Sequence, residues 1–596
     1  MFIFIIFCKI FVNLLVFIQP FSSASGFRPK FHNNLNTSFI LCNFRENNSI
    51  NDNFKQGVNH IFSLQDHVSF QCNNVGELDS VDNVSTSTDC KRINPLEKNS
   101  VTISELIQHL NMCKESNTPM DVPFTVNTRG FVQEIRRINS QNLYFIDIND
   151  GSTLANLQIV VNKANNFKEL ELLKNGDHIY ASGTIDKRRG VPSERSLSDF
   201  DLYINHDNPE HKLKIHKYSE NELENPVIPN IEYSDEYLRK YTHFRFRNKQ
   251  FRSIIGIRSA IKSYIHEFFQ SKNFTEVDTP CLTHMNCENL VPLTLKTPSD
   301  GTSLDNLGSE NTEKNIPVNL SSTGQMELEF ACYGLGKVWK IGPSFRAERS
   351  DTIRHANEFW MIEAELPDTT LKGMINLIQE MVRGCATYIL QKHEDYVNYL
   401  NNFNDKYKDF LVHLVSIRYL IDFQSKANIK LITYDQAVNI LNETDSGSDK
   451  LDKVFEWGKR LSEPQERRLL KHFDKDIIAI TNFPESITPF YMKPTEGTIN
   501  FDGSVNSKST VENFDILAPF GYEIAGGSIR EHEYEVLKRK MDERKVGGED
   551  YEKYINLRKN IYLPHGGFGV GFDRLVMLMT MKENIKDVTP FPVTKV

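Results

Sequence analysis

The sequence has little that marks a cross-linked or metal-ribbon protein. Nine cysteines in 596 residues make an odd number, and no CxxC pair occurs. A disulfide scaffold and a zinc ribbon are therefore excluded as organising principles. Basic residues do not predominate: 69 Lys and Arg stand against 78 Asp and Glu, a formal charge of −9. That removes a wholesale basic coat for nucleic acid but leaves room for a local basic face. No repeat of fixed period is visible, so solenoids and propellers drop out. What is present suits a multidomain globular protein, with 39% hydrophobic and 25% charged residues. At about 150 residues per domain the length corresponds to roughly four units.

Residues 1–25 form a long apolar run, broken by Lys9, that ends at Pro20 and then in Ser22, Ser23, Ala24 and Ser25. This is the layout of a secretory signal's apolar core and small-residue cleavage region. A signal anchor is the alternative, because the run approaches membrane-spanning length. Residues 26–116 are rich in Asn and Ser and open with FRPKFHNN. No apolar period of 2 or 3.6 persists there, so a transit-like disordered leader is expected. A signal followed by such a stretch resembles the bipartite leader of nucleus-encoded plastid (apicoplast) proteins in apicomplexan parasites. The resemblance implies a plastid destination, with mitochondrion or cytoplasm as alternatives and no stable membrane association of the mature chain.

From Phe124 the pattern changes to short alternating strands: FTVNTRGFVQEIRR, NLYFIDINDGS, ANLQIVVN and GDHIYASGTIDK, with Asp150-Gly151 as a turn. A five-stranded OB barrel over 117–215 is predicted, a fold that binds oligonucleotides on one face. Phe145 is a candidate stacking platform for an unpaired base, Gln158 for reading a base edge, and Arg136 for phosphate or base. The rival reading of Phe145 is a core side chain. A basic hinge follows over 216–250. Six Arg or Lys and no acid fall between Leu238 and Arg252, which makes a phosphate-contacting linker one reading and a solvated linker the other.

The chain from 251 to 596 carries three chemical motifs. Ile254, Ile257, Ile261, Ile265 and Phe268 fall at helical spacing, followed by an extended FTEVDTPCL with Pro280 at its end. KVWKIGPSFRAERSDTIRHANEFWMIEAEL then reads strand, loop, strand. On an extended chain Arg346 and Glu348 point the same way, as do Phe359, Met361, Glu363 and Glu365. Arg346 suits a phosphate and Glu348 an amine, while Arg349, Arg354 and His355 suit a polyphosphate. Carboxylates on a buried strand are costly unless they bind a cation or a hydrogen-bond donor. Finally, in HGGFGVGFDRLVMLM a Gly-rich strand runs into an apolar helix. Arg574 falls in the first helical turn, where the macrodipole disfavours a cation, and this points to a bound anion. The glycines would let a flat group approach the backbone. The spacing fails a GxGxxG nucleotide loop, and no Walker lysine follows.

FRAE with the downstream RH, together with GFGVGFDR, resembles motifs 2 and 3 of the class II aminoacyl-tRNA synthetases, and the helix–strand pair resembles motif 1. The preceding barrel is similar to that of the aspartate–asparagine–lysine subgroup. STGQMELE, EFWMIEAEL, FPESITPFYM, EIAGGSIREHEYEVL and ENIKDVTPFP resemble the asparaginyl branch. The resemblance implies an α+β fold, an antiparallel catalytic sheet flanked by helices behind the OB barrel, and a homodimer built on motif 1. It implies ATP and Mg²⁺ as cofactors, L-asparagine and tRNA(Asn) as substrates, and ATP-dependent asparaginyl-adenylate formation followed by transfer to the tRNA 3′ end. Arg346, Glu348 and Arg574 would be catalytic, and Arg346, Arg354, His355, Phe359 and Arg574 would hold ATP. Gln325, Glu363, Glu365 and Arg530 would bind the amino acid, Asp515 and Glu523 the metal, and Arg136, Phe145 and Gln158 the anticodon.

Against an aspartyl assignment, Leu328 stands where aspartyl enzymes carry a lysine, and Glu363 is longer than their Asp. Asparagine needs a donor for its carbonyl and an acceptor for its amide, without excess positive charge. The sequence departs from the family at Ile529, usually Gln, at Asp573, usually Glu, and in a polar insertion at 296–318. Three rivals remain: a non-discriminating aspartyl enzyme, a free-standing asparagine synthetase on the same fold, which would lack the barrel, and a catalytically inert RNA-binding paralogue. The last should have lost Arg346, Glu348 or Arg574.

Overall fold

The fold is that of a computed structural model describing residues 100–115, 123–138, 142–162, 168–188, 199–216, 226–227, 231–285, 292–295, 318–347, 352–403, 405, 407–419, 429–443, 454–474, 476–496 and 508–594. The expected signal segment 1–25, Glu348, Arg349 and residues 296–317 of the insertion lie outside these. Among the described residues no helix is long and apolar enough to cross a membrane. Cys281, Cys332 and Cys385 are free thiols.

The expected leader is too long. Helix α1, Ile103–Glu115, falls within 26–116. Ile103, Leu106 and Leu110, spaced i, i+3, i+7, are buried in the apolar core of the barrel. The helix start is tied to the barrel: Ile103 N–H donates to Asp150 Oδ2 at 2.8 Å, and Val101 N–H to the Asn127 carbonyl at 2.8 Å. Residues from about 100 onward are thus part of the barrel domain, because three large apolar groups gain burial there.

The barrel strands are β1 Phe124–Ile138, β2 Leu143–Asn149, β3 Leu157–Asn162, β4 His178–Lys187, β5 Phe200–Asn205 and β6 Lys212–His216. They run in the order β1-β2-β3-β5-β4-β6, and β1 also pairs with β4. The length of β1 allows this closure. Its first half pairs with β4 (Phe124↔Ile185), its second with β2 (Ile138↔Leu143), with a bulge at Val132/Glu134 re-aiming the strand. Five strands thus close the predicted barrel, and β6 is an added edge. Gly151, at φ 91°, makes the predicted turn after β2.

The basic stretch is built into the fold. It forms α2, Asp235–Lys240, and the start of α3, Lys249–Ser271, capped by Asn248 accepting from Phe251 N–H. Four of its six cations face protein acceptors. Arg239 binds both oxygens of Asp587, and Arg245, 1% exposed, donates to the carbonyls of Lys586, Thr589 and Pro590. Arg247 donates to the Gly176 carbonyl, and Arg252 to Asn149 Oδ1 and the Thr153 carbonyl. These arginines clamp barrel and C-terminal loop, so the phosphate-contacting reading does not hold for them.

After α3 comes β7, Thr275–Glu276, and a three-stranded ribbon of β8 Leu282–Thr283, β9 Leu293–Thr294 and β10 Asn319–Leu320. Helix α4, Gln325–Leu335, leads into β11, Val338–Phe345, and β12, Glu358–Pro367. Helices α5 Leu371–Lys392, α6 Glu394–Asn401 and α7 Phe410–Tyr419 follow, then β13 Lys430–Thr433, α8 Tyr434–Glu443, α9 Glu463–His472 and β14 Ile478–Thr481. The chain ends with β15 Asn513–Ala518, β16 Tyr522–Ile529, α10 Tyr534–Glu543, α11 Glu549–Asn560, β17 His565–Gly571 and α12 Phe572–Thr580. The large sheet runs β13-β14-β15-β16-β17-β12-β11-β7, antiparallel in its centre and parallel at each edge pair. The predicted isoleucine stripe of α3 packs with Met374, Ile378 and Cys385 of α5 in the main core against one face of this sheet. The other face, over β12, β15, β16 and β17, carries the cleft.

Candidate active site

A cleft of about 430 Å³ lies on that face. Its lining includes Gln325, Arg346, Arg354, His355, Phe359, Glu363, Glu365, Asp515, Glu523, Arg530 and Arg574. Every described residue predicted for the catalytic site is thus in one place, although the positions span 250 residues of chain. The central strands bring them together: β12 pairs with β17, and β17 with β16.

One end carries three arginines, Arg346, Arg354 and Arg574. Burial pushes the Arg574 guanidinium below its usual range; Glu523 opposes that shift, and repulsion from Arg346 and Arg354 adds to it. Three cations close enough to repel suit a polyphosphate. Arg574 donates to the Glu523 carbonyl. Arg354 is held by Glu466 at 2.5 Å, a carboxylate the sequence did not single out. His355 Nδ1 lies 2.7 Å from Thr352 Oγ1. Phe359, expected to stack on adenine, carries the Arg346 guanidinium 5.0 Å from its ring centre. A base would use the other face of the ring.

Asp515 and Glu523 sit on neighbouring strands. Burial, then repulsion from Glu523 and Glu466, pushes the Asp515 carboxyl well above its usual range. Mutually repelling hard oxygens suit a divalent cation. Gly526 keeps room for them, since a Cβ there would lie 3.0 Å from Asp515 Oδ1. Among the described residues no group of three or more His, Cys, Asp or Glu forms a metal cage.

The other end is polar and balanced. Glu363, 4% exposed, accepts from Thr323 Oγ1 and from Gly324 N–H at 3.0 Å, with Lys340 Nζ at 3.4 Å. Glu365 is engaged by Arg530, whose Nε and Nη2 lie 3.1 and 2.5 Å from Oε1, while Nη1 donates to Ser528 Oγ at 2.7 Å. Both were predicted to touch the amino acid. The structure pairs them with each other, so Glu365 orients Arg530. The Gly-rich strand serves this pairing: a Cβ at Gly567 would fall 2.0 Å from Glu365 Oε1 and one at Gly569 2.8 Å from Met361 Cε. Gly567 and Gly569 thus admit β12 side chains, while Gly569 and Gly571 line the cleft itself, where a flat group was expected to approach the backbone.

Leu328 does not face the cleft. It is fully buried with Cys332 and Val338, under Val277, Ala331 and Leu563. Leu328 serves packing, and the weight of the specificity argument passes to Glu363 and its partners. Asp573, the departure in motif 3, is a buried junction. Oδ1 accepts from Arg258 at 2.6 Å and Thr589 at 3.3 Å, and Oδ2 accepts from Trp360 N–H at 2.7 Å. It ties the motif 1 helix, the motif 2 strand and the motif 3 helix. Ile529 is a core residue.

On the barrel, Arg136, Phe145 and Gln158 cluster. Arg136 pairs with Phe145 across β1–β2 and lies 5.7 Å from its ring. Gln158 Nε2 donates to Asp147 Oδ1 at 3.2 Å, and Arg136 lies 3.8 Å from Asp147. Ile146 and Ile148 fill the core, so Phe145 and Asp147 point to the outer face and the core reading of Phe145 fails. Asp147, unforeseen, holds the patch together.

The family model for class II tRNA synthetases (D, K and N) matches residues 234–595, and the OB-fold nucleic acid binding domain matches 126–208. The asparagine–tRNA ligase of Clostridium botulinum is 31% identical over 493 residues, covering 81% of this chain and 97% of its own. That of Clostridium beijerinckii is 33% identical over 485 residues, covering 77% and 93%. The asparaginyl-tRNA synthetase of Pyrococcus horikoshii, solved with asparaginyl-adenylate, superposes with a TM-score of 0.65 at 25% identity, covering 83% of this chain and 98% of that one. With the three-arginine end, the carboxylate pair and the balanced polar end all in one cleft on the central sheet, the chain belongs to the class II tRNA synthetases of the D, K and N group, in the asparaginyl family.

Proposed function

We infer that the cleft divides asparagine–tRNA ligation among its three zones. The observation that carries this reading is the separation of a three-arginine end from a charge-balanced end by one β12 face. ATP lies at the arginine end. Arg346 holds the α-phosphate, Arg354 and His355 the outer phosphates, and Arg574 the γ-phosphate and one side of the adenine. Asp515 and Glu523 would hold Mg²⁺, which would neutralise phosphate charge. Asparagine lies at the balanced end, where Arg530 donates to its side-chain carbonyl and Glu363 accepts from its amide NH₂. Three carboxylates, Glu329, Glu363 and Glu365, stand beside three cations, Lys340, Arg530 and Arg558. Such an end has no uncompensated cation for an aspartate carboxylate.

The asparagine carboxylate oxygen attacks the α-phosphorus and the bond to the β-phosphate oxygen breaks, releasing pyrophosphate. The tRNA 3′-hydroxyl oxygen then attacks the acyl carbon, AMP leaves, and the hydroxyl proton passes to the departing phosphate. Charge builds on phosphate oxygens throughout, so positioning and electrostatics carry the work, with no side chain required as base. Amino-acid-dependent ATP–pyrophosphate exchange with the full chain, each amino acid in turn, tests the assignment. Asparagine alone should support it.

The barrel patch reads the anticodon. Phe145→Ala should weaken charging of tRNA by about 1–3 kcal/mol through lost stacking, while pyrophosphate exchange without tRNA stays at the wild-type rate. Equal loss in both assays would make Phe145 structural. The motif 1 region forms a homodimer, a reading supported by the two-residue edge strand β7 and by the exposed Leu282 beyond it.

Residues 1–99 direct the enzyme to a plastid. The apolar run with its small-residue junction supports this, as does the lack of any use for tRNA charging in the secretory lumen. A fusion of residues 1–99 to a fluorescent protein should co-localise with plastid markers. A diffuse cytosolic, secreted or mitochondrial signal would contradict it.

A further inference from the structure

Glu329 was not among the predicted residues and does not line the cleft, yet it lies one helical turn after Gln325, which does. It is fully buried. Its Oε1 accepts from Gln325 Nε2 at 2.9 Å, with Arg530 Nε 3.8 Å away. Its Oε2 accepts from Tyr554 Oη at 2.9 Å and from Arg558 Nη2, with His565 Nε2 at 3.0 Å. We propose that Glu329 is a positioning residue that fixes the Gln325 amide with its oxygen toward the cleft, and so sets the preference of the site for an amino acid bearing an α-ammonium.

The argument is one of donors and acceptors. A glutamine amide has an oxygen and an NH₂ of nearly equal size, and either end can face a ligand. An ionised carboxylate accepts and never donates, so only the NH₂ can face Glu329. Burial alone would push the Glu329 carboxyl up, but Arg558, His565 and Arg530 outweigh it and hold the group well below the usual carboxylate range. The Gln325 oxygen is therefore left for the cleft, where it accepts a hydrogen bond from a cationic amine. The backbone reinforces the orientation: Gln325 N–H donates to Thr323 Oγ1 at 3.1 Å, and Thr323 donates to Glu363. One buried carboxylate thus connects the α-amino contact to the side-chain contacts made by Arg530 and Glu363. The inference rests on reading this end of the cleft as the asparagine site.

The test compares asparagine with 3-carbamoylpropanoate, which keeps the carboxylate and carboxamide and lacks the α-ammonium. The readouts are KM for asparagine in ATP–pyrophosphate exchange and Ki for the analogue. In Glu329→Gln the neutral isostere can donate as well as accept, which frees the Gln325 amide to turn over. The asparagine KM should rise about tenfold or more, the size of one charge-assisted hydrogen bond, while the analogue Ki stays within about twofold. A merely structural Glu329 would raise both together, and that result, or an unchanged ratio of the two constants, would overturn the proposal. Should Glu329→Gln fail to fold, Gln325→Met decides, because it removes the amide that Glu329 holds while keeping the length of the side chain. It should raise the asparagine KM about tenfold with the analogue Ki unmoved, and equal or absent changes would overturn the proposal. Absence of asparagine-dependent exchange in the wild type overturns the reading of the site and this inference with it, a result distinct from a fixed ratio in an active wild type.

Discussion

Arg346→Ala should abolish asparagine-dependent pyrophosphate exchange and leave the fold standing. The loss should be about 3 kcal/mol or more, at least a hundredfold in rate, because a clamp on the α-phosphate strengthens as charge develops in the transition state. The fold should survive because the backbone of this residue is anchored independently of its side chain. Arg346 N–H donates to the Asn357 carbonyl at 2.9 Å, and Asn357 Nδ2 donates back to the Arg346 carbonyl at 2.9 Å. The half-buried guanidinium, stacked on Phe359, leaves no ladder hydrogen bond behind when removed. Pyrophosphate exchange within a few-fold of wild type would remove Arg346 from the reaction. Lost exchange together with a lost unfolding transition would make it structural.

Asp573→Ala should have the largest effect on stability. The side chain is 1% exposed and satisfies Arg258, Trp360 N–H and Thr589 at once. Removing it leaves the Arg258 guanidinium, itself stacked 4.5 Å from the Phe572 ring, without its carboxylate in a dry site. Breaking a buried pair from one side costs about 3–5 kcal/mol. Asp573→Asn keeps an acceptor for Trp360 N–H and should cost less. Urea unfolding monitored by circular dichroism measures both. If the alanine variant unfolds at the wild-type midpoint, Asp573 is not the junction of the three motifs.

The catalytic end of the site was legible because its residues sit in contiguous motifs whose spacing fixes their side. Phe359, Glu363 and Glu365 alternate on β12, and Arg574 stands in a helical turn that would otherwise repel it. The barrel was legible from period-2 alternation, but the side that Phe145 faces was left open between stacking platform and core until the burial of Ile146 and Ile148 decided it. Residues that act by meeting a distant partner left no such trace. Glu466 reaches Arg354 across 112 positions and Arg258 reaches Asp573 across 315. Nothing local distinguishes either from a surface charge or a helix cation. The second use of the β17 glycines, as room for β12 side chains, was hidden because Glu365 lies 202 positions before Gly567. Helix α1 could have been found. Ile103, Leu106, Ile107 and Leu110 have helical spacing, but an Asn- and Ser-rich stretch on their N-terminal side hid a segment with enough apolar surface to dock. Leu328, read for the charge it lacks, also has a packing role that its motif did not show.

The discriminating end of the cleft carries the central claim: charges balanced around Glu363 and Arg530 select a carboxamide over a carboxylate and deliver it to one tRNA. The most direct measurement is aminoacylation by the full chain of tRNA(Asn) and tRNA(Asp) transcripts, with labelled asparagine and labelled aspartate in parallel. The account predicts that asparagine is attached to tRNA(Asn) and that aspartate is attached to neither transcript at a comparable kcat/KM. Aspartate joined to tRNA(Asn) as readily as asparagine would contradict it.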